Sequence, residues 1–237
     1  MTFGLTGPDL SVRNRQAELM DDPSLPADRH ERALTALGRI NAVSRAASRL
    51  LAEVTRVHRG GLGPVRVLDV ACGGGDVLAS VARGARDRGI AIEVHGCDLS
   101  GPALDRARTL DRSIVTHRLD ALRDELPGDF DVVTSNLFLH HLDQAHAVGL
   151  LRRMTAAARQ SILVQDLLRT RRGYALAWLG LHTLTRSDVA RVDGLRSVRA
   201  AFTLEEVEAL RAEAGLETAR VVRVWPQRFV LHWRRGS

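Results

Sequence analysis

The sequence predicts an α/β fold: a doubly wound, mostly parallel sheet of seven strands, with helices on both faces and a helical cap at the N-terminus. Short apolar runs alternate with helical patterns along most of the 237 residues, and such alternation is typical of right-handed βαβ units. The first apolar run leads through a glycine-rich turn into a helix. The last two runs are separated only by Pro226-Gln227. This connection is too short for a crossover helix, so the C-terminal strands are predicted to be antiparallel.

The N-terminal region, 1–60, is predicted to form an arm and a helical cap. Residues 1–27 are polar with scattered proline and glycine, which favours an irregular arm. Asp28 and Glu31 have the spacing of a capping box, and the apolar residues that follow recur at helical spacing until Gly60-Gly61. These apolar residues are Leu34, Leu37, Ile40, Val43, Leu50, Leu51, Val54 and Val57.

The main domain is predicted over 61–237, where apolar runs without alternation indicate strands buried on both faces of a parallel sheet. The predicted strands cover 65–70, 91–97, 113–119, 131–135 and 161–165, with helices at 76–88, 102–110 and 143–158 and a final hairpin at 218–224 and 228–233. Before that hairpin, Thr203 and Glu206 have the spacing of a second capping box. Gly215 suits the residue that follows the capped helix.

The composition argues against several kinds of partner. All 34 basic residues are arginine, and the net charge is +6. They are spread along the chain and aromatic residues make up only 4%, whereas a nucleic-acid interface needs a clustered basic stripe with interleaved aromatics. No apolar run reaches the roughly 18 residues of a membrane span. Residues 1–22 lack the pattern of a secretory signal, so a cytoplasmic protein is expected. Cys72 and Cys97 lack the spacing of a zinc site or a disulfide framework, and no metal is predicted.

The turn after the first strand runs from Asp69 to Asp76 and contains three consecutive glycines. Glycine lets the backbone approach a ligand closely, and the start of the following helix offers free N–H groups. The dinucleotide fingerprint G-x-G-x-x-G fits neither from Ala71 nor from Gly73, which disfavours an NAD-dependent reductase. A phosphate-binding P-loop is excluded because the chain contains no lysine.

Polar residues at the ends of the predicted strands resemble the motifs of class I S-adenosylmethionine (SAM) dependent methyltransferases. The turn from Asp69 to Gly75 matches acid-x-Gly-x-Gly-x-Gly, with Ala71 at the position of the first glycine. Asp98 ends the second strand, where the resemblance implies an acid for the ribose hydroxyls. Asp120 ends the third, where it implies a contact with adenine. The cofactor-binding residues that the resemblance implies are Asp69, Ala71, Cys72, Gly73, Gly75, Asp98, Leu99, Asp120, Ala121 and Asn136.

Residues 130–142 resemble the fourth-strand motif of the bacterial small-molecule branch, with Asn136 beside the methionine end of SAM. That branch includes quinone-pathway enzymes and O-methyltransferases of phenols and polyketides. The resemblance implies a Rossmann-like methyltransferase fold, SAM as cofactor and S-adenosylhomocysteine (SAH) as product. The implied partner is a small aromatic or lipid-like acceptor with a phenolic or polyketide-like hydroxyl, bound by a monomer or homodimer.

Two other functions stay open. One is C-methylation of a quinone precursor, and the other is a SAM-binding partner protein that has lost catalysis. Methylation of a nucleic-acid base is disfavoured, because Leu-Phe-Leu follows Asn136 where base-methylating relatives carry an Asn-Pro-Pro-Tyr type motif.

Three polar residues are candidates for catalysis. His140 and His141 follow the fourth-strand motif, and an imidazole can act as a base near neutral pH; the alternative is that they pack or cap locally. The resemblance favours His141, which aligns with a histidine near the acceptor site of quinone-pathway relatives. Asp166 ends the fifth strand and either orients a hydroxyl or caps the next turn. The acidic segment 18–23 either folds over the pocket or anchors the arm.

Segment 167–202 is longer than a plain connection and is predicted to be a substrate lid, with simple helix packing as the alternative. Tyr174 and Trp178 belong to its apolar wall, which suits an aromatic or lipid-like acceptor. Arg196 and Arg199 are expected in a loop, where they either bind an acceptor carboxylate or phenolate or are solvated.

Overall fold

A seven-stranded mixed sheet forms the centre of this protein. The computed structural model describes residues 8–22, 24–26, 28–29, 32–33, 35–36, 38, 45–61 and 63–236. The strands are β1 (Val65–Val70), β2 (Ile92–Asp98), β3 (Ile114–Arg118), β4 (Phe130–Asn136), β5 (Ala158–Leu167), β6 (Arg220–Val224) and β7 (Arg228–Arg234). Their order across the sheet is β3-β2-β1-β4-β5-β7-β6. Strands β1 to β5 pair in parallel, and β7 pairs antiparallel with both β5 and β6. The predicted doubly wound sheet with an antiparallel C-terminal end is confirmed.

Helices cover both faces of the sheet. They are α1 (Ala46–Arg59), α2 (Asp76–Arg86), α3 (Gly101–Leu110), α4 (Gln144–Ala157), α5 (Arg171–Leu184), α6 (Asp188–Ala200) and α7 (Leu204–Glu213). The predicted capping box of α7 is present, because Thr203 and Glu206 each bond the other's backbone N–H through their side chains. Gly215 then takes a left-handed conformation with φ of 77° just beyond that helix. In the part of the chain that the structure describes, no helix is long and apolar enough to cross a membrane.

Two apolar layers form the core, one on each face of the sheet, because successive side chains of a strand point to opposite faces. Leu68 and Val133 belong to the layer that also contains buried residues of α4 and α7. Their neighbours Val67 and Val132 belong to the layer that contains buried residues of α1 and α2. Each central strand is therefore buried on both sides, and this explains why its sequence reads as a continuous apolar run.

Strand β5 is longer than the predicted run at 161–165, since it spans 10 residues. Its additional N-terminal residues include Arg159, which is exposed, and Gln160, which is half-buried. The apolar run marks only the part of the strand that is covered on both faces, so the exposed start could not be recognised by hydrophobicity.

Helix α1 packs on the sheet through Leu50, Val54 and Val57. The apolar pattern of the predicted cap runs through Arg45, but the helix does not. Arg45 precedes α1 and has φ of 58°, a left-handed conformation outside the helical range. The described residues between 28 and 38 are helical. The predicted cap residues Glu31, Leu34, Leu37, Ile40 and Val43 lie outside the described residues.

The predicted lid segment forms two helices, α5 and α6, packed closely against each other. Gly194 permits this approach, since a Cβ at that position would lie 2.7 Å from the Leu181 side chain. The expectation that Arg196 and Arg199 lie in a loop is wrong. Ser187 caps α6 with its side chain, and both arginines lie within that helix.

Candidate functional site

The turn between β1 and α2 lies where the strand order reverses on either side of β1, and open α/β sheets bind ligands at such a switch point. Ala71, Gly73 and Gly75 have positive φ values of 56°, 53° and 75°. For a residue with a Cβ this conformation costs about 1–2 kcal/mol, so the alanine at position 71 is held there by its surroundings. A Cβ on Gly73 would meet nothing within 4 Å, and this glycine therefore borders open space.

Asp98 forms one wall of this space. Its carboxylate accepts hydrogen bonds from the backbone N–H groups of Gly73 and Ser100, both at 2.9 Å. The neighbouring Leu99 is 65% exposed. A fixed carboxylate can accept bonds from both hydroxyls of a sugar diol, and an exposed apolar side chain can cover a flat ring. The residues present therefore fit a nucleoside.

A chain of polar side chains crosses the ends of β1, β4 and β5. Asn136 Nδ2 donates to the Asp69 carboxylate at 3.2 Å, and Gln165 Nε2 donates to Asn136 Oδ1 at 2.9 Å. Burial raises the pKa of Asp69 to about 8; the bond from Asn136 opposes this shift and the charge of Asp98 reinforces it. Arg49 donates to Gln165 Oε1 at 3.2 Å. No motif marks Gln165 or Arg49, because only the folded chain brings α1 to the end of β5.

The remaining predicted cofactor residues also lie at the carboxyl ends of the first strands. Cys72 is a free, half-buried thiol, and burial raises its pKa. Its sulfur occupies space that a Cβ on Gly96 would need. Asp120 follows β3, and its carboxylate accepts a hydrogen bond from the backbone N–H of Leu122 at 2.9 Å, while Ala121 is buried.

His140 and Asp166 form a buried pair at the ends of β4 and β5. The 3-10 turn Leu139–His141 follows β4. His140 Nδ1 lies 2.8 Å from the carboxylate of Asp166, which also accepts the backbone N–H of His140 at 3.0 Å. Burial disfavours the charged imidazole, but Asp166 and, to a smaller extent, Glu18 outweigh this penalty and raise the pKa of His140 to about 9. At neutral pH the two therefore form an imidazolium–carboxylate pair, and Asp166 orients an imidazole.

The N-terminal arm brings Glu18 against the same turn. Glu18 Oε1 lies 3.8 Å from His140 Nε2 and 3.9 Å from His141 Nε2. The side chain of His141 is 34% exposed, whereas that of His140 is only 5% exposed. Ser197 on α6 donates its hydroxyl to Glu18 Oε1. The acidic segment of the arm thus folds over the histidines, one of the two alternatives that the sequence left open.

Hydrogen bonds from several elements hold the arm in place. Arg13 donates to two backbone carbonyls at the histidine turn, both at 3.0 Å, and to one at the end of α6, at 2.8 Å. Its guanidinium also lies 3.5 Å from the centre of the Phe202 ring. Asp193 on α6 accepts the backbone N–H groups of Leu19 and Met20 at 2.7 and 3.0 Å. The arm is therefore a fixed wall of the site.

A cavity of about 370 Å³ lies between the arm, the histidine turn and α6, a volume in the range of small-molecule sites. Its lining residues are Arg15, Gln16, Ala17, Glu18, His140, His141, Arg196, Ser197 and Ala200. Of the predicted substrate residues only Arg196 is among them; Tyr174, Trp178 and Arg199 are not. Trp178 is 50% exposed and stacks on His182 on the outer side of α5, so the predicted apolar wall does not line this cavity.

The fold and the site define a class of protein. A doubly wound sheet of this order, a glycine turn after β1 and a carboxylate at the end of β2 are the features of class I SAM-dependent methyltransferases. A family model described as a methyltransferase domain matches residues 67–161. The fold, the site and this match support a class I SAM-dependent methyltransferase, a class whose cofactor is SAM.

Individual methyltransferases are similar to this chain in sequence or in fold. The ubiquinone biosynthesis O-methyltransferase of Pseudomonas aeruginosa is 29% identical over 192 residues, or 76% of each chain. The protein of the same name from Methylococcus capsulatus is 32% identical over 124 residues, and the match spans 51% of either chain. The plantazolicin methyltransferase BpumL, solved with SAH and a triazolic desmethylPZN analog, superimposes with a TM-score of 0.67 at 15% identity. That superposition covers 88% of this chain and 90% of BpumL, and it supports the fold.

Proposed function

We propose that this protein transfers a methyl group from SAM to a hydroxyl of a small aromatic acceptor, phenolic or polyketide-like. The observation that carries the proposal is the His140–Asp166 pair, with Glu18 and His141 beside it, at the ends of β4 and β5, the two strands that follow β1 across the sheet. The two curated relatives named as O-methyltransferases support oxygen rather than carbon as the methylated atom.

The cofactor would lie across the switch point. Asp98 would receive the ribose hydroxyls, the space beside Gly73 would accommodate the cofactor, and Leu99 would cover the adenine. Asp120 and Ala121 would border the far side of the base. At the other end, Asp69 and Asn136 would face the amino acid group. The bound cofactor supplies a methyl group activated by an adjacent sulfonium charge.

The histidines would act on the acceptor hydroxyl. His140, held by Asp166, carries a proton at neutral pH and can donate a hydrogen bond from Nε2 to the acceptor oxygen, which stabilises the negative charge that develops there. His141 is the more exposed of the two and acts in its neutral form as the base, taking the hydroxyl proton on Nε2. We assign different roles to these adjacent residues because His140 is buried and bonded to Asp166, whereas His141 is more exposed.

The cavity suits an acceptor of modest size with polar groups. Its lining combines two arginines, a glutamate, a serine and the two histidines. Such a lining favours a phenol whose ring carries further hydroxyl or carboxyl groups, since these can bond Arg15 and Arg196 at the rim.

The test incubates the full-length protein with SAM and a panel of mono- and dihydroxybenzenes, hydroxybenzoates and resorcinols, followed by mass spectrometry and NMR of the product. We expect a mass increase of one methyl group on oxygen, and kcat/KM that falls above about pH 9 as His140 loses its proton. Replacing the base, His141→Gln, should lower kcat by about 10²–10⁴-fold without weakening SAH binding.

Two variants make the test specific. Asp98→Ala should abolish SAH binding measured by calorimetry. His146→Gln removes an exposed histidine that pairs with Asp143 outside the site, and it should retain the activity of the original protein. Methylation on ring carbon would replace the O-methyltransferase assignment. A protein that binds SAH and methylates none of the panel would exclude the phenolic acceptor.

A further inference from the structure

Glu18 has an environment that anchoring the arm does not require. The arm is already fastened by Arg13, by Asp193 and by Arg196, whose guanidinium donates to the carbonyl of Ala17 at 2.7 Å. Glu18 itself is directed inwards, with its side chain only 14% exposed. Its carboxylate faces both imidazole Nε2 atoms of the histidine turn. Burying a charged carboxylate is costly unless it gains compensating contacts. Ser197 supplies one such contact, and the two imidazoles that face the same oxygen indicate a use at the site beyond fastening the arm.

We propose that Glu18 is a catalytic residue of the acceptor site, forming with His140 and His141 a three-point cradle for one acceptor oxygen, and that docking of the N-terminal arm completes this cradle. The inference rests on the proposed function, because it assigns a further residue to the same reaction.

The spacing of the three groups supports this cradle. The separations of 3.8 and 3.9 Å between Glu18 Oε1 and the two Nε2 atoms exceed direct hydrogen-bond lengths. An oxygen atom about 2.8 Å from each atom of such a pair, an ordinary hydrogen-bond length, fits between them. These three side-chain atoms lie within 4.8 Å of one another. An acceptor hydroxyl that accepts a bond from His140 Nε2 can therefore donate its single proton to either Glu18 Oε1 or His141 Nε2.

The charges at the cradle give Glu18 a defined task. When the acceptor oxygen takes the methyl group, its proton passes to His141 Nε2, and the positive charge lost by the sulfonium reappears on that imidazole. The carboxylate of Glu18 stabilises this new imidazolium. Burial would raise the pKa of Glu18, but the nearby His140 and His141 and the hydroxyl of Ser197 lower it below its ordinary value, so the carboxylate is ionised at neutral pH.

Other charged groups also face the cradle. They are Asp166 from β5, Arg13 and Arg15 from the arm, and Asp193 and Arg196 from α6. Asp166 is bonded to His140, Asp193 to the arm backbone, and the three arginines to backbone carbonyls. Glu18 is therefore the carboxylate among them that faces His141 Nε2.

The experiment compares Glu18→Gln and Glu18→Asp with Glu205→Gln, a matched change at an exposed carboxylate in the first turn of α7. For Glu18→Gln we expect kcat to fall about 10–100-fold, a range within that of positioned acid–base groups, with SAH affinity unchanged. The acid limb of the kcat/KM profile should move to lower pH by about one unit, because an imidazole without a neighbouring carboxylate loses its proton more easily. Glu18→Asp should restore part of kcat, and Glu205→Gln should match the original protein.

A second readout is independent of turnover. NMR titration of the histidine ring protons in the protein without acceptor should show a lower midpoint for His141 in Glu18→Gln than in the original protein. If this shift is found while no phenol is methylated, the proposed acceptor is wrong and the Glu18–histidine contact still stands.

Three results would overturn the proposal. One is an unchanged kcat and pH profile in Glu18→Gln. A second is a loss of activity that accompanies a lower unfolding midpoint with an unshifted pH profile, since that outcome assigns Glu18 to anchoring the arm. The third is activity of the original protein that EDTA abolishes and a divalent cation restores, since the three groups would then hold a cation.

Discussion

Two glycines of the cofactor turn offer a sharp test of how this site is built. Gly73 and Gly75 both have left-handed backbones, with φ of 53° and 75°, so alanine is strained at either position. They differ in the space around them. A Cβ on Gly73 would meet nothing within 4 Å, whereas a Cβ on Gly75 would lie 2.6 Å from Ala107 Cβ and 3.0 Å from Ala107 Cα on α3.

The expected magnitudes follow from that difference. The left-handed conformation costs alanine about 1–2 kcal/mol. Alanine also reduces the entropy of the unfolded chain, which stabilises the folded state by about 0.4–1 kcal/mol. Gly73→Ala should therefore destabilise the protein by about 1 kcal/mol. Gly75→Ala adds the cost of an overpacked contact, about 1–3 kcal/mol, because the backbone of α3 cannot move aside freely. Its total should be about 3 kcal/mol. For a protein of this size, the 2 kcal/mol gap corresponds to about 4–8 °C in Tm.

The two variants should also separate stability from binding. Urea unfolding followed by circular dichroism gives the free energies, and calorimetry with SAH gives the affinities. Gly73→Ala should keep most of its stability but lose at least about tenfold in SAH affinity, an estimate for one methyl group of about 1.4 kcal/mol entering ligand space. Equal destabilisation of the two variants, or full SAH affinity in Gly73→Ala, would refute the reasoning from the space around each glycine.

Two further predictions concern pH. Burial raises the pKa of Asp69 to about 8, so this residue holds a proton at pH 7. The cationic amino group of bound SAM favours the ionised carboxylate, so binding should release that proton. SAM affinity should therefore rise by up to about tenfold per pH unit between pH 6 and 8. Calorimetry in buffers of different ionisation enthalpy measures both quantities, and a pH-independent affinity contradicts this linkage. Burial would raise the pKa of Glu53, but bonds from His232, Arg56 and Arg234 outweigh it and hold that pKa well below its usual range. Glu53→Gln should therefore cost about 1.5–3 kcal/mol at pH 7, the range for hydrogen bonds to a charged group. This deficit should shrink in urea titrations as pH falls below the unfolded pKa of about 4.3, and a deficit independent of pH contradicts the ion pairing.

The cofactor side could be predicted because its signals are local in sequence. Asp69, Ala71 and Gly73 belong to one turn, and Asp98 and Asn136 each end a strand that a short apolar run reveals. Parallel strands then bring those ends to one edge of the sheet. The left-handed φ of Ala71, the position where this chain departs from the glycine motif, agrees with that assignment.

The acceptor side could be predicted only in part, because long-range contacts build it. Nothing in the sequence pairs Glu18 with His141, which lies more than 120 residues later, and the arm has no periodicity from which its path could be deduced. His140 and His141 are adjacent residues of the same type, so the sequence does not distinguish them. In the folded chain, burial against Asp166 distinguishes the protonated His140 from its neighbour. Gly194 has the composition of a loop residue, yet it lies inside α6. Its missing side chain leaves the space that Leu181 of α5 occupies, and this contact cannot be read from the sequence.

The arm and α6 form two of the three walls of the cavity, and both lie outside residues 67–161, the part matched by the methyltransferase family model. On the proposed assignment, residues of the matched part bind the cofactor, and segments outside that part contribute to the choice of acceptor. Exchange of these two segments between relatives can redirect the enzyme to a new acceptor while the glycine turn and its carboxylates stay fixed. The arm and α6 are accordingly the segments to recombine when the specificity of this enzyme is to be changed.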